Sequence, residues 1–139
     1  MTYVFDTSPL AALSRNFYRD RFPTLWSLFD DMIADGQITS TREVFREIEE
    51  RDDGLLTWAK QNRGLFVTPD AEEAAFVTNI FSNAHFLSLI EQKKILTGGK
   101  NADPFVLARA AIIGGTIVTL EKYKNNSANI PNIAQHFNI

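Results

Sequence analysis

Cysteine is absent from this 139-residue chain. That excludes disulfides, thiolate metal sites and a cysteine nucleophile, and it is compatible with a reducing compartment. Histidine is scarce as well: His85 and His136 stand alone, neither with a partner at ligand spacing, so both read as structural. Seven glycines and five prolines leave no room for long flexible linkers. No apolar run approaches the roughly 20 residues that span a bilayer. The opening MTYVFD meets an acid too soon, with no basic region before it, for a secretory signal. A cytoplasmic protein with no membrane attachment is therefore expected. Positive charge is also missing: the formal net charge is −3, so no global basic field attracts nucleic acid. A bound cation would still supply positive charge locally. Gly98–Gly99–Lys100 lacks the spacing of a phosphate-cradling GxxxxGK[ST] loop, which speaks against nucleoside triphosphate binding.

What is present is an ordinary globular composition, 45% hydrophobic and 22% charged, in one domain spanning 1–139 with no internal repeat. The chain is organised around residues 101–122, NADPFVLARAAIIGGTIVTLEK. Asp103 sits where an N-cap belongs and Pro104 at a first helical position. The helix that follows is apolar nearly all round and stops at Gly114 and Gly115. Thr116 to Leu120 then reads as the interior strand of a parallel sheet, with Glu121 just past its carboxyl end. Upstream, Thr2 to Phe5 is a strand ending at Asp6, and Thr7 or Ser8 caps the next helix. Thr24 to Asp35 is a second helix, Gln37 to Thr39 a minimal strand, and Ser40 or Thr41 opens a third helix carrying Val44, Phe45 and Ile48 inward. Asp52 or Asp53 begins a short fourth helix. Leu65 to Thr68 is a strand, and Asp70 caps a helical region from Ala71 to about Leu96, with a break near Asn83. Strands alternating with helices predict a three-layer α/β/α fold with a central, mainly parallel sheet of four to five strands.

Three acids fall at comparable places: Asp6 after the first strand, Asp103 at the helix before the last strand, and Glu121 after that strand. Glu47 joins them from the helix after the second strand, between Phe45 and Ile48. In open α/β sheets, ligands bind at the carboxyl edge of the strands. Hard divalent ions prefer oxygen ligands, so four such acids without cysteine or clustered histidine fit Mg²⁺ or Mn²⁺ better than zinc. Blander roles stay open at this point: Asp103 as a plain cap, Asp6 as an Asx turn. Glu43, Glu49, Glu50, Asp30 and Asp31 read as solvated helix charges, and Trp26 and Trp58 as packing anchors.

The segments VFDTS, VFREI, ADPFVLARA and IVTLE, with Asp6, Glu47, Asp103 and Glu121 in order, resemble a PIN domain, the ribonuclease fold of VapC-type toxins. More closely, RFPTLWSLFDDMIADGQITS, VFREIEERDDGLLTWAK and NIPNIAQHF resemble an uncharacterised PIN-like bacterial family of unknown function, over almost the whole chain. The resemblance implies a flavodoxin-like parallel sheet and an acidic pocket at its switch point. It also implies Mg²⁺ or Mn²⁺ coordination by Asp6, Glu47, Asp103 and Glu121, with Thr7 or Ser8 as a supporting hydroxyl beside Asp6. Three departures stand out: Glu121 occupies a place where many PIN nucleases carry an Asp, Ala134 stands where relatives often carry Cys, and the net charge of −3 is unhelpful for RNA binding. Lys100, Arg109, Lys122 and Lys124 lie near the acids in sequence and are candidates for phosphate contacts, with surface solubility as the competing role.

The leading expectation is a metal-dependent endoribonuclease, the toxin of a type II toxin–antitoxin pair, with RNA as substrate and an antitoxin protein and a second copy of the chain as partners. The alternative is a PIN-like binding or regulatory module without catalysis, which the acidic charge and Glu121 favour. A haloacid-dehalogenase-type or receiver-type phosphotransfer enzyme also wants an acid after strand one. The first usually needs a DxD pair where this chain reads Asp6–Thr7–Ser8, and the second a further acid after a middle strand, with none convincingly placed.

Overall fold

A computed structural model describes residues 1–51 and 54–139. The helix start expected at Asp52 or Asp53 lies outside the described residues. In chain order the elements are β1 (Tyr3–Phe5), α1 (Thr7–Asn16), α2 (Pro23–Ala34), β2 (Ile38–Thr41), α3 (Arg42–Arg51), α4 (Leu55–Gln61), a single 3₁₀ turn (Arg63–Leu65), β3 (Phe66–Val67), α5 (Ala71–Phe81), α6 (Ala84–Leu96), α7 (Asp103–Ile113), β4 (Thr116–Val118) and α8 (Ile130–Phe137). The four strands form one sheet in the order β3-β2-β1-β4, and every neighbouring pair is parallel. The predicted three-layer α/β/α architecture holds. From β1 the chain winds outward to β2 and β3, then returns to lay β4 on the other side. This reversal opens a crevice at the carboxyl ends of β1 and β4, where ligands bind in such sheets.

The helix breaks are local chemistry. Asn83 ends the predicted long helical region because its side chain accepts the Phe86 N–H at 3.1 Å and starts α6 afresh. Asp70 and Glu73 form a reciprocal capping box at the start of α5. Gly114 closes α7 in the left-handed region at φ 65°. Gly115 is needed for space: a Cβ there would lie 3.0 Å from Val4 Cγ2 and 3.1 Å from the Thr2 carbonyl. An inward stripe of Leu25, Leu28, Phe29, Met32 and Ile33 is expected on α2, but Leu25 and Leu28 are exposed, as are Ile112 and Ile113 at the end of the apolar α7.

Two strands differ from expectation in instructive ways. The second strand begins one residue later and runs two further than predicted, Ile38–Thr41, and is buried throughout. Its hydroxyls disguised it. Ser40 Oγ donates to the Phe5 carbonyl at 2.6 Å and Thr39 Oγ1 to the Leu65 carbonyl at 3.4 Å, so these polar residues are accommodated inside. The last strand stops at Val118, not Leu120. Thr119 leaves the sheet because its hydroxyl turns toward Asp6 and accepts the Glu121 N–H.

Core packing fixes this frame on both faces. On one, α7 lies against β1, β2 and β4 and is flanked by α5 and α8. On the other, α3 packs on β2, β3, α1 and α4, and a chain of aromatic contacts, edge-to-face except for the tilted Phe29–Trp58 pair, joins Phe5, Phe29, Trp26, Trp58, Phe66 and Phe45. Trp26 and Trp58 are packing anchors, as read from sequence. Each such ring pair adds about 1 kcal/mol beyond the area it buries. No helix among the described residues is long and apolar enough to cross a membrane.

Candidate functional site

Asp6 is the first residue beyond β1. Its N–H still bonds to the Val118 carbonyl at 3.0 Å, extending the sheet by one link before the backbone turns into α1. The carboxylate is 5% exposed. Oδ1 accepts the Thr7 N–H at 2.7 Å, which makes Asp6, not Thr7 or Ser8, the helix cap. Oδ2 accepts the Thr119 hydroxyl at 3.0 Å and, at the 3.5 Å limit, that of Ser8. Thr7 Oγ1 instead donates to Glu47 Oε2 at 3.0 Å, and Glu47 Oε1 accepts the Ala102 N–H at 3.1 Å. Asp6 and Glu47 are thus aimed by α1, β4 and the entrance to α7, all through neutral donors.

Asp103 departs from its expected role as a cap. It is the first residue of α7, after an Ala102 cap that supplies no side-chain bond. Its own N–H is taken by Asn101 Oδ1 at 3.0 Å, which leaves the carboxylate free to point away from the helix end. Asp103 Oδ2 meets Lys93 Nζ at 3.0 Å. The same ammonium reaches Glu121 Oε1 at 3.4 Å and the Ala128 carbonyl at 3.4 Å. Glu121 Oε2 accepts the Ile130 N–H at 2.6 Å, tying the start of α8 to the site. All four acids line one cavity of about 270 Å³, together with Thr7, Ser8, Arg51, Lys93, Thr97 and Asn101.

Electrostatics follow from crowding acids in a poorly hydrated place. Burial raises the Asp6 pKa above its usual value, helped by repulsion from Glu47 and Glu121 against the lowering hydrogen bonds. Burial likewise raises Glu47, with Asp103 adding to the shift and Arg51 opposing it. Asp103 is pushed up to about 6 by burial and then by Glu121, with Lys93 pulling the other way. For Lys93, burial works against the charge, but attraction and hydrogen bonds to Asp103 and Glu121 outweigh it and the pKa rises.

Among the described residues, no three His, Cys, Asp or Glu side chains stand close enough together to form a ready-made cation cage. The four carboxylates still offer a hard divalent ion oxygen ligands, and against the Lys93 ammonium and the Arg51 guanidinium in the same cavity they leave an excess of negative charge whose repulsion a cation would relieve. Asn101 Nδ2 is a further buried polar atom at this cavity without a partner.

The phosphate-contact candidates separate. Lys100 pairs with Glu50 at 2.8 Å and lines an adjoining cavity with Glu47, Arg51 and Thr97. Lys122 and Lys124 lie on the exposed loop before α8 and do not line the acidic cavity. Arg109 does not surround it either. Six residues beyond Asp103, about 9 Å further along α7, it bonds to Glu73 and to Thr39 Oγ1, each at 3.4 Å, and lines a different cavity with Thr2, Gly36 and Ile38. Nearness in sequence misled because α7 runs from one edge of the sheet to the other. His85 and His136 flank Phe86 and are likewise remote from the acids.

Sequence reasoning missed Lys93, Thr119 and Asn101. Lys93 hides in Gln92–Lys93–Lys94 at a helix end, where a solvated pair is the ordinary reading; only the phase of α6 tells the two lysines apart. Thr119 looked like a strand residue. Asn101 had a signal: an Asn two before a helix-opening Asp is a natural acceptor for that residue's N–H.

A protein-family model described as Domain of unknown function (DUF4411) matches residues 3–139. No curated protein and no solved structure matches the chain.

Proposed function

The chain belongs to the DUF4411 family, and from that premise we propose that it is a PIN-like, Mg²⁺- or Mn²⁺-dependent endoribonuclease. The observation that carries the reading is the convergence of Asp6, Glu47, Asp103 and Glu121 on one cavity at the carboxyl edge of a parallel sheet, with three of the four pKa values raised. A structural role for one acid is ordinary; four in one cavity, only two of them bonded to its lysine, work against the stability of the fold and call for a cationic ligand.

Asp6, Glu47 and Asp103 are the residues that would hold the ion, with Glu121 on the far side of Lys93. When bound, such an ion lowers the pKa of a water and offsets charge developing on a phosphate. The chain's own contributions are orientation and charge. Thr7 and Thr119 fix the directions of Glu47 and Asp6 through their hydroxyls. Asp103 Oδ1 has no protein donor among the described residues and keeps an acceptor open toward the cavity. Because Asp6, Glu47 and Asp103 hold protons more tightly than free carboxylates, cation binding releases protons and weakens as pH falls. Lys100 and Arg51, in the cavity beside Glu47, are the side chains for flanking backbone phosphates. The toxin role, an antitoxin partner and pairing with a second copy rest on the resemblance to VapC-type proteins.

A second reading, a binding module without catalysis, draws on one observation: Lys93 already neutralises part of the acid cluster. Incubation of the purified protein with single-stranded RNA, with Mn²⁺ or with EDTA, separates the two. Metal-dependent internal cleavage that disappears in both Asp6→Asn and Asp103→Asn supports the nuclease. Intact RNA under all conditions, or undiminished cleavage in both variants, overturns it.

A further inference from the structure

The four acids do not share one environment. Asp6 and Glu47 accept only neutral donors: the Thr7 and Ala102 N–H groups and the Thr7, Ser8 and Thr119 hydroxyls. Asp103 and Glu121 share a cation that the chain itself provides. Lys93 Nζ meets three oxygens from three segments: Asp103 on α7, Glu121 after β4, and the Ala128 carbonyl in the loop before α8. Three acceptors match the three donors of an ammonium. The position is built in, because Lys93 reaches the cavity from the last turn of α6 with a side chain 29% exposed.

We infer that Lys93 takes the place of a second divalent ion, so that the pocket holds one such ion, on its Asp6–Glu47 side, and uses the Lys93 ammonium as its other positive charge. This rests on the metal-dependent reading above and extends it to stoichiometry. The physical reason is competition for one space. An ion bridging Asp103 and Glu121 would occupy the region that Nζ fills and would have to expel a cation already bonded to both. Among the described residues no cation bonds Asp6 or Glu47, Arg51 acting on Glu47 only through its charge, and Asp103 has one oxygen on Lys93 and the other without a protein donor among those residues. Two-metal sites place a cation on each side of a displaced phosphate. Here the second of those charges is a side chain whose three donors are held by Asp103, Glu121 and the Ala128 carbonyl, which makes Lys93 a positioning residue that balances charge in the pocket.

Calorimetric titration of Mn²⁺ into the full-length protein reads this directly, with electron paramagnetic resonance to detect paired Mn²⁺ ions. Wild type is expected to bind one Mn²⁺ per chain with no spin-coupled pair. Lys93→Met is expected to bind two, with a coupled-pair signal, and Lys93→Arg to return to one. Circular dichroism of each variant identifies any that fails to fold, and Lys93→Gln, which also removes the charge, then takes the place of Lys93→Met in the count. Two ions in wild type, or one in both wild type and folded Lys93→Met, overturns the Lys93 inference while leaving the metal-dependent reading intact. Absence of binding in wild type and every variant overturns that reading, and this inference with it.

Discussion

Two buried acids, Glu73 on α5 and Asp103 on α7, are treated differently by this protein. Glu73, 2% exposed, is matched oxygen by oxygen: one accepts the Asp70 N–H at 2.8 Å in the capping box, the other faces Arg109 at 3.4 Å. Asp103, 7% exposed, also has a basic partner, but it shares that partner with Glu121 and shares its cavity with Asp6 and Glu47. At the Glu73 site one acid meets one base, and the pair ties α5 to α7 and, through Thr39, to β2. At the Asp103 site, acids outnumber the base that touches them. Burial of charge alone therefore does not mark a candidate site; a surplus of one sign does, because a fold gains nothing from it.

Breaking the matched pair should cost the most. Arg109→Met leaves Glu73 buried without its cation and is expected to lower stability by about 3–5 kcal/mol, read from denaturant melts. Adding Glu73→Gln should restore a large part of that. If Arg109→Met unfolds no more easily than wild type, the matched pair is not the structural tie described above.

At the surplus site the same kind of change should have the opposite sign. Asp6→Asn is expected to reduce metal-dependent cleavage at least about 100-fold, beyond the loss typical of residues behind a ligand. It should also raise stability at pH 7.5 by about 1 kcal/mol, since it removes a desolvated, repelled charge. A destabilised Asp6→Asn would place the acids among structural elements and erase the contrast with Glu73.

The pH dependence sharpens the comparison further. With its pKa raised from 3.8 to about 6, folded Asp103 binds a proton that the unfolded chain has released. Stability therefore falls as pH rises through that window and levels off above it. The metal-free protein should be more stable at pH 5 than at pH 7.5 by about 1 kcal/mol from this group, with Asp6 and Glu47 shifting in the same direction. Lys93, raised above 10.5, contributes nothing to the change in this range. Thermal melts of wild type and Asp103→Asn across that range read it, and a slope unchanged in the variant would contradict the assignment. The smallest effect belongs to Thr119→Val, which removes the hydroxyl linking Asp6 to the Glu121 backbone. A roughly tenfold loss of Mn²⁺ affinity by calorimetry, with little change in melting temperature, is expected; unchanged affinity would mean that Asp6 needs no such support.

What could be read from sequence here had a one-dimensional signal. The β-branched run at Thr116 to Val118, the cap at Asp70 and the break near Asn83 gave the parallel sheet and most helix ends. Acids just past strands pointed to one shared cavity, since strand ends gather at one edge whatever the loops do. What could not be read depends on helix phase and direction. Lys93 and Lys94 are equivalent as letters and differ by about 100° around α6. Arg109 and Asp103 are close in number and lie toward opposite edges of the sheet. Ser40 and Thr41 looked like a cap and are strand, because one of the two hydroxyls finds a carbonyl inside the protein that no local pattern announces.

The most direct test of the central claim is diffraction from crystals grown with Mn²⁺, using its anomalous signal to locate the ion. The account predicts one peak per chain in the acidic cavity, bound by Asp6 with Glu47 and Asp103 alongside, and Lys93 still beside Glu121. An acidic cavity without a peak at saturating Mn²⁺, or an ion bound only elsewhere on the molecule, would contradict it.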